Sequence, residues 1–444
     1  MLFVQDHRTE RWNRIHAGLM FIISFCLSTH FTLNPFFERP NAGTASNFFI
    51  SQSKAVLHGT FAVAPSELPA ECYVYFGKCL GYYGLTPSIA RIPQAMLGLP
   101  SFTCVWIAIW SSLCAYLISK LLHVNNLWIE KISIVSLTSG GALIYLSRAA
   151  VYEEAIVASL AFGLAAMYFW LRSIQTYSLK LAVLVLVVLT LGSHSRPTVF
   201  GLCIGIGIGT LFLFQNWKFR IFGLLYIFIP LATVFSVNWM KFRMLIPNLS
   251  LNEQVPEATH WANIFASNGS RDMSLGFIFT TGWNYFRIDG LSVSSAFPFF
   301  DFRIPGRSSF RYIFLQPGSL YVERMTTVPV AFAGNLFVIC KNTYQTLGNG
   351  SWRGVVHKNN FQFFWLIVGG ALSVIPTMTN VAMTNRYLLD FLPFFVAILM
   401  LSISSLRKME DSKTLKEHKL SLSAIVMAGA IINAILIYRW SWGK

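Results

Sequence analysis

Apolar runs long enough to cross a lipid bilayer recur along this chain from Ile15 to Tyr438, and a chain built this way has few ways to fold. Hydrocarbon offers backbone N–H and C=O groups no water to bond, so each crossing run must form a helix or join a closed barrel. The runs 15–33, 103–122, 132–147, 155–171, 181–193, 197–214, 219–238, 325–340, 361–377, 387–404 and 420–438 approach the length of a spanning helix. They predict an all-α polytopic bundle of about 11 transmembrane helices, at roughly 20 apolar residues per crossing with about 17 tolerated. Composition agrees, because 55% of residues are hydrophobic and only 12% charged, about half the charged share of a soluble globular chain. No polar half remains that could fold alone in water, so 1–444 reads as a single integral membrane domain.

The formal charge of +16 raises the question of nucleic acid, which the placement of the charges answers. The basic residues sit mainly between apolar runs: Arg8, Arg11 and Arg14; Lys120 and Lys131; Arg172 and Lys180; Lys218 and Arg220; Lys341, Arg353 and Lys358; and Arg407 to Lys419. That is the positive-inside pattern of a multi-pass protein, and no nucleic-acid partner is expected. Run 325–340 is only moderately apolar, yet without it the basic linker 405–419 would share a side with Arg148 and Arg386. With it, the clustered linkers all lie on one side and the amino terminus is cytoplasmic, in the cell membrane. No cleavable leader is read, because the run after Arg14 is long enough to span. The scheme leaves two long outer loops, 34–102 and 239–324, and short outer turns near 148–154, 194–196 and 378–386.

The first outer loop has the marks of a built structure. Residues 44–58 predict a short amphipathic helix capped by Thr44 and ended by Gly59. Tyr73 to Cys79 predict a small hairpin turning at Gly77-Lys78. An oxidising compartment would permit a Cys72–Cys79 disulfide, although that turn would not set the two directly opposite. Thr86-Pro87-Ser88 starts a helix carrying Arg91. Glu67, Glu71 and Arg91 could present a carboxylate and a cation to a phosphorylated lipid, or the loop could simply cover the bundle.

Three polar breaks interrupt the apolar pattern on the outer side. Ser147 to Glu154 join two runs with Arg148, Glu153 and Glu154 and almost no spacer. Charges at this depth are costly and either pair or line a cavity, so Arg148 is expected to pair with Glu153 or Glu154. His194-Ser195-Arg196 is the second break. Arg386 and Asp390, four apart, would share a helical face and pair in the third. The second outer loop adds Asn284 to Leu291 and Phe297 to Asp301, whose density of Phe and Pro points to an interfacial structure. There is no Walker A sequence, dinucleotide fingerprint or His-Glu-x-x-His, which argues against ATP-driven transport and zinc proteolysis by those routes.

Leu57-His58-Gly59, Glu71-Cys72, Tyr82 through Ser88 and Arg91-Ile92-Pro93 resemble the first-loop pattern of a group of multi-pass bacterial, largely actinobacterial, membrane proteins. Val151 to Ala155, Tyr285 to Gly290 and Arg386 to Pro393 fall in its later blocks. The group resembles the GT-C glycosyltransferase superfamily, and the resemblance implies a sugar transferred from a polyprenyl-phosphate donor to a glycan or protein acceptor at the outer face. Glu71 or Glu38 would be the catalytic base, while Arg91, Arg148, Arg196 and Arg386, with Glu153, Glu154, His194 and Asp390, would form the substrate-binding surface. The superfamily usually carries Asp or Asp-Glu early in its first outer loop, whereas Asn34 to Lys54 offers only Glu38. No cofactor is implied; a divalent metal is compatible but not called for. Two other readings use the same charges: a lipid or small-molecule transporter or flippase, and an inactive scaffold of an envelope-assembly complex.

Overall fold

The computed structural model describes residues 7–37, 47–68, 73–75, 77–81, 84–122, 128–139, 151–245, 275–287, 291–293, 300–302, 321–322, 328–332, 334–336, 339–340, 361–379, 382–383, 385–406 and 419–442. The helices are α1 (His7–Ser28), α2 (Phe48–Leu57), α3 (Thr86–Ala90), α4 (Ile92–Met96), α5 (Thr103–Leu122), α6 (Trp128–Ser139), α7 (Val151–Thr176), α8 (Leu179–Ser195), α9 (Phe200–Leu213), α10 (Trp217–Phe242), α11 (Phe277–Phe286), α12 (Val328–Ala331), α13 (Phe361–Met378), α14 (Leu392–Leu406) and α15 (Lys419–Trp442). Among the described residues, strands form short pairs: β1 (Tyr73–Tyr75) with β2 (Lys78–Leu80) and β3 (Leu291–Val293) with β4 (Phe300–Phe302), both antiparallel, and β5 (Tyr321–Val322) with β6 (Ala382–Met383), parallel. Five helical stretches are long and apolar enough to cross a membrane: Thr103–Leu122, Tyr152–Thr176, Trp217–Phe242, Phe361–Met378 and Tyr387–Ser404. Leu179–Ser195, Pro197–Leu213 and Ser423–Asn433 are shorter apolar helices. The chain is a membrane protein, and these five long helical stretches fall on apolar runs of the sequence to within about five residues at each end.

Helices α1 and α5 run antiparallel, as polar contacts at their ends show. At one end of the pair α1 and α5, Lys120 Nζ and the Tyr116 hydroxyl donate to Glu10 at 2.7 and 3.0 Å. At the other, Cys104 Sγ lies 3.5 Å from the Ser28 carbonyl. The buried core is shared by α5, α7, α8, α9 and α14 and includes Trp170, whose Nε1 donates to Thr210 Oγ1 at 2.8 Å and ties α7 to α9. In contrast, α10 exposes Leu224, Phe228, Trp239 and Met240, the outward face expected where lipid is the solvent.

Close helix packing depends on glycine. Gly201, Gly205 and Gly209 stand four apart and share one face of α9, and α13 lies directly on it. A Cβ at Gly201 would fall 2.1 Å from Ser373 N, and one at Gly205 would fall 2.5 Å from the Gly369 Cα. Small residues at this spacing let backbones approach where the hydrophobic effect cannot drive helices together.

Several local expectations change. The first-loop helix starts at Phe48 after Asn47, which makes no side-chain cap, so Thr44 is too far upstream to cap it; Thr44 itself lies outside the described residues. Its inward face buries Gln52 and Ser53 as well as Phe48 and Phe49, so α2 packs on protein. The hairpin closes one residue early, since Tyr75 pairs with Lys78 and Gly77 takes φ +69°. Cys79 is disulfide-bonded; Cys72 lies outside the described residues. Arg386 and Asp390 do not share an α-helical face, because Asn385–Phe391 is a 3-10 helix, in which residues three apart eclipse. Gly205→Leu should overpack the α9–α13 contact and cost about 1–3 kcal/mol, read as a lower midpoint of thermal unfolding in detergent.

Candidate functional site

The first loop, the α7 start and the α8 end meet at one end of the bundle. Two proline-started turns, α3 and α4, are linked at Arg91, and the Arg91 side chain points into the protein. Its Nη2 lies 2.5 Å from Glu154 Oε2 in the first turn of α7, with both side chains wholly excluded from solvent. Nη2 also donates to Thr103 Oγ1 at 3.1 Å and Nη1 to Ser101 Oγ at 3.4 Å. The guanidinium carbon sits 5.9 Å from the centre of the Phe49 ring. Burial pulls the Arg91 pKa below its ordinary value, and the Glu154 carboxylate opposes that shift. Around this bond, Ser53 Oγ donates to the Ser88 carbonyl and Ser88 Oγ to Gln52 Oε1, at 2.6 and 2.5 Å, so α2, α3 and α7 are joined through polar groups.

A second ion pair lies at the α8–α9 break. Arg196 Nη2 is 2.8 Å from Asp390 Oδ2, the carboxylate being nearly buried and the guanidinium 18% exposed. Thr377 Oγ1 and the Thr198 hydroxyl also donate to Asp390, while the Arg196 guanidinium lies over the Tyr387 ring at 4.8 Å. Beside Asp390 is a cavity of about 20 Å³ lined by Ser159, Gly163, Thr198, Leu202, Ser373 and Pro393. That volume holds about one water and excludes a sugar. Helix α11 reaches the same region: Tyr285 and Phe286 pack on Phe391, with ring centres 5.5 and 5.6 Å apart.

The first loop is fastened to the bundle at two further points. Thr86 Oγ1 donates to the Leu191 carbonyl at 2.6 Å, and Gly84 meets the His194 backbone so closely that a Cβ there would lie 1.5 Å from the carbonyl oxygen. Lys241, in the last turn of α10, is buried with its Nζ 3.2 Å from the Gly81 carbonyl and 5.7 Å from the centre of the Phe61 ring. Sequence reading passes over Lys241; a lone lysine closing an apolar helix is its only signal.

The expected site residues therefore divide. Arg91, Glu153, Glu154, His194, Arg196 and Asp390 lie at one end of the bundle, with Glu153 and Glu154 fully buried. Glu154 pairs with Arg91, 63 residues away, and Asp390 with Arg196, 194 residues away. Glu38, Glu71 and Arg148 lie outside the described residues, as does the Arg386 side chain. Among the described residues no three His, Cys, Asp or Glu side chains group as metal ligands.

No family model matches the sequence, and no curated protein matches it. Among solved structures it is similar to the oligosaccharyltransferase of Archaeoglobus fulgidus tethered to an acceptor peptide containing the NVT sequon, with TM-score 0.49 and 11% identity over 98% of this chain and 55% of that one. It is also similar to the archaeal oligosaccharyltransferase AglB from Archaeoglobus fulgidus in complex with an inhibitory peptide and a dolichol-phosphate, with TM-score 0.47 and 12% identity over 98% of this chain and 56% of that one. The chain thus spans little more than half the length of the structures it matches, and at these scores the likeness assigns no activity.

Arg91→Gln should leave Glu154 buried without its counter-charge and cost about 3–5 kcal/mol. Adding Glu154→Gln should recover much of that loss, since two amides bury no net charge, and denaturant unfolding in detergent reads both effects.

Proposed function

We propose that this chain is a GT-C-like membrane glycosyltransferase that moves a sugar from a polyprenyl-phosphate-linked donor to a glycan or protein acceptor at the outer face of the cell membrane. The reading assigns it about 11 spans, a cytoplasmic amino terminus, and two outer loops, 34–102 and 239–324. It rests on the sequence resemblance and on one observation: Arg196, partly exposed and held by Asp390 and Tyr387, stands at the end of the bundle where the first loop is fastened.

In this reaction an acceptor group attacks the anomeric carbon while the bond to the lipid phosphate breaks, and negative charge collects on the departing phosphate. Fixed cations aimed at that charge stabilise the transition state. Arg196, with Arg148 and Arg386, is assigned that role, and Glu71 or Glu38 takes the acceptor proton. Arg91 has both Nη groups committed inside the protein, so its part is to hold the loop in place. Glu153, Glu154, His194 and Asp390 shape the surroundings. No metal is required by this scheme.

A second reading, an inactive scaffold of an envelope-assembly complex, is favoured by the internal closure of both ion pairs and by the absence of aspartate from Asn34 to Lys54. Reconstituted vesicles supplied with polyprenyl-phosphate sugars separate the two. Transfer to acceptor is expected from the unaltered protein. Arg196→Gln should lower turnover about a hundredfold, the typical loss for one charge-stabilising donor, and Glu38→Gln with Glu71→Gln should abolish it. Full activity of that double variant would remove both glutamates from the mechanism. Partner binding without sugar transfer would establish the scaffold, and substrate counterflow without covalent product a transporter.

A further inference from the structure

The opposite end of the bundle carries a charge pattern that the proposed reaction does not use. Between Glu154 and Glu253 the sequence contains no carboxylate. Over that stretch α7, α8, α9 and α10 run back and forth, so Arg172 and Lys180 flank the α7–α8 turn while Lys218 and Arg220 open α10. These turns lie at the far end from Glu154 and Arg196, which stand at the start of α7 and the end of α8.

The two turns are one structure. Ala182, Phe214 and Phe219 form a small buried cluster, with the rings of Phe214 and Phe219 stacked 4.5 Å apart. Tyr177, at the corner between α7 and α8, sets its ring edge-on to both, at 5.6 and 6.2 Å. The Tyr226 hydroxyl donates to the Ala182 carbonyl at 3.0 Å and fixes α10 against α8. Arg220 Nε donates to the Phe214 carbonyl at 2.8 Å, closing the α9–α10 turn. Lys180 stands two residues before Ala182, while Lys218 and Arg220 flank Phe219, so the cluster sets three exposed cations at one level of the molecule. Around them Tyr177, Phe212 and Trp217 are about two-thirds exposed (66%, 67% and 65%).

Exposed aromatic rings beside lysine and arginine, at the ends of apolar helices, mark the level of lipid headgroups. No acidic side chain in this part of the sequence supplies a countercharge to these three cations. We propose that the joined α7–α8 and α9–α10 turns form a docking surface for the phosphate headgroups of acidic phospholipids, with Lys180, Lys218 and Arg220 as the cations and Trp217 and Tyr177 seated among the lipid glycerols. Arg220 has a double part, since its Nε is held by the turn while the residue as a whole is exposed.

The test uses the full chain in nanodiscs of phosphatidylglycerol and phosphatidylcholine, with retained lipid counted by native mass spectrometry. The unaltered protein should retain phosphatidylglycerol preferentially. Each cation near an acidic surface contributes roughly fivefold in affinity, so the Lys180→Gln/Lys218→Gln pair should reduce that preference at least tenfold. Arg243→Gln, an exposed cation at the other end of α10, should leave it unchanged. Arg220→Lys keeps the charge and should retain the preference even if the turn loosens. Equal retention of the two lipids by the unaltered protein, or an undiminished preference in the double variant, would overturn the proposal. So would a comparable loss in Arg243→Gln, which would make the effect one of net charge alone.

Discussion

The ion pair between Arg91 and Glu154 is the contact on which the first-loop end of the bundle depends. Neither group reaches water, and an isolated charge in that position would cost several kcal/mol. Each therefore requires the other, and the requirement draws together a loop turn and the start of a long apolar helix. Once Arg91 is placed, Phe49 lies near its guanidinium, Ser101 and Thr103 each accept from an Nη group, and α2 is carried onto α7. The first loop is consequently part of the folded body. It is fastened again by Thr86 to the end of α8 and by Lys241 to the hairpin.

A different economy holds the helices together. In lipid, apolar side chains gain little by leaving their surroundings, so contact surface and buried polar bonds decide which helices pair. The glycine face of α9 gives α13 a backbone-to-backbone approach, and single hydrogen bonds such as Trp170 to Thr210 and Tyr226 to Ala182 fix rotation and height. Arg196 and Asp390 then span the same neighbourhood from the side, joining the α8–α9 break to the turn before α14. The two ends of the molecule differ in detail: one pairs Arg91 with Glu154 and Arg196 with Asp390, and the other pairs Lys120 with Glu10 and leaves Lys180, Lys218 and Arg220 exposed.

Helix positions were legible because the bilayer imposes a length and a polarity that single residues reveal. The hairpin at Gly77 and the helix at Phe48 were also readable, since turn and periodicity signals are local. The ion pairs were not. A spacing of four places Asp390 and Arg386 on one face of an α-helix, but the segment winds as a 3-10 helix. The partner of Asp390, Arg196, is 194 residues away. Lys241 escaped notice for a similar reason: its acceptor is a carbonyl in a loop 160 residues distant.

The sequence by itself determined that this is a membrane protein made of apolar helices, and which of its charged residues sit near their ends, because hydrophobic length and charge placement are properties of consecutive residues. Only the tertiary structure decided which charge neutralises which. That choice depends on the crossing and height of helices far apart in the chain, set by glycine contacts and buried hydrogen bonds that no local pattern encodes.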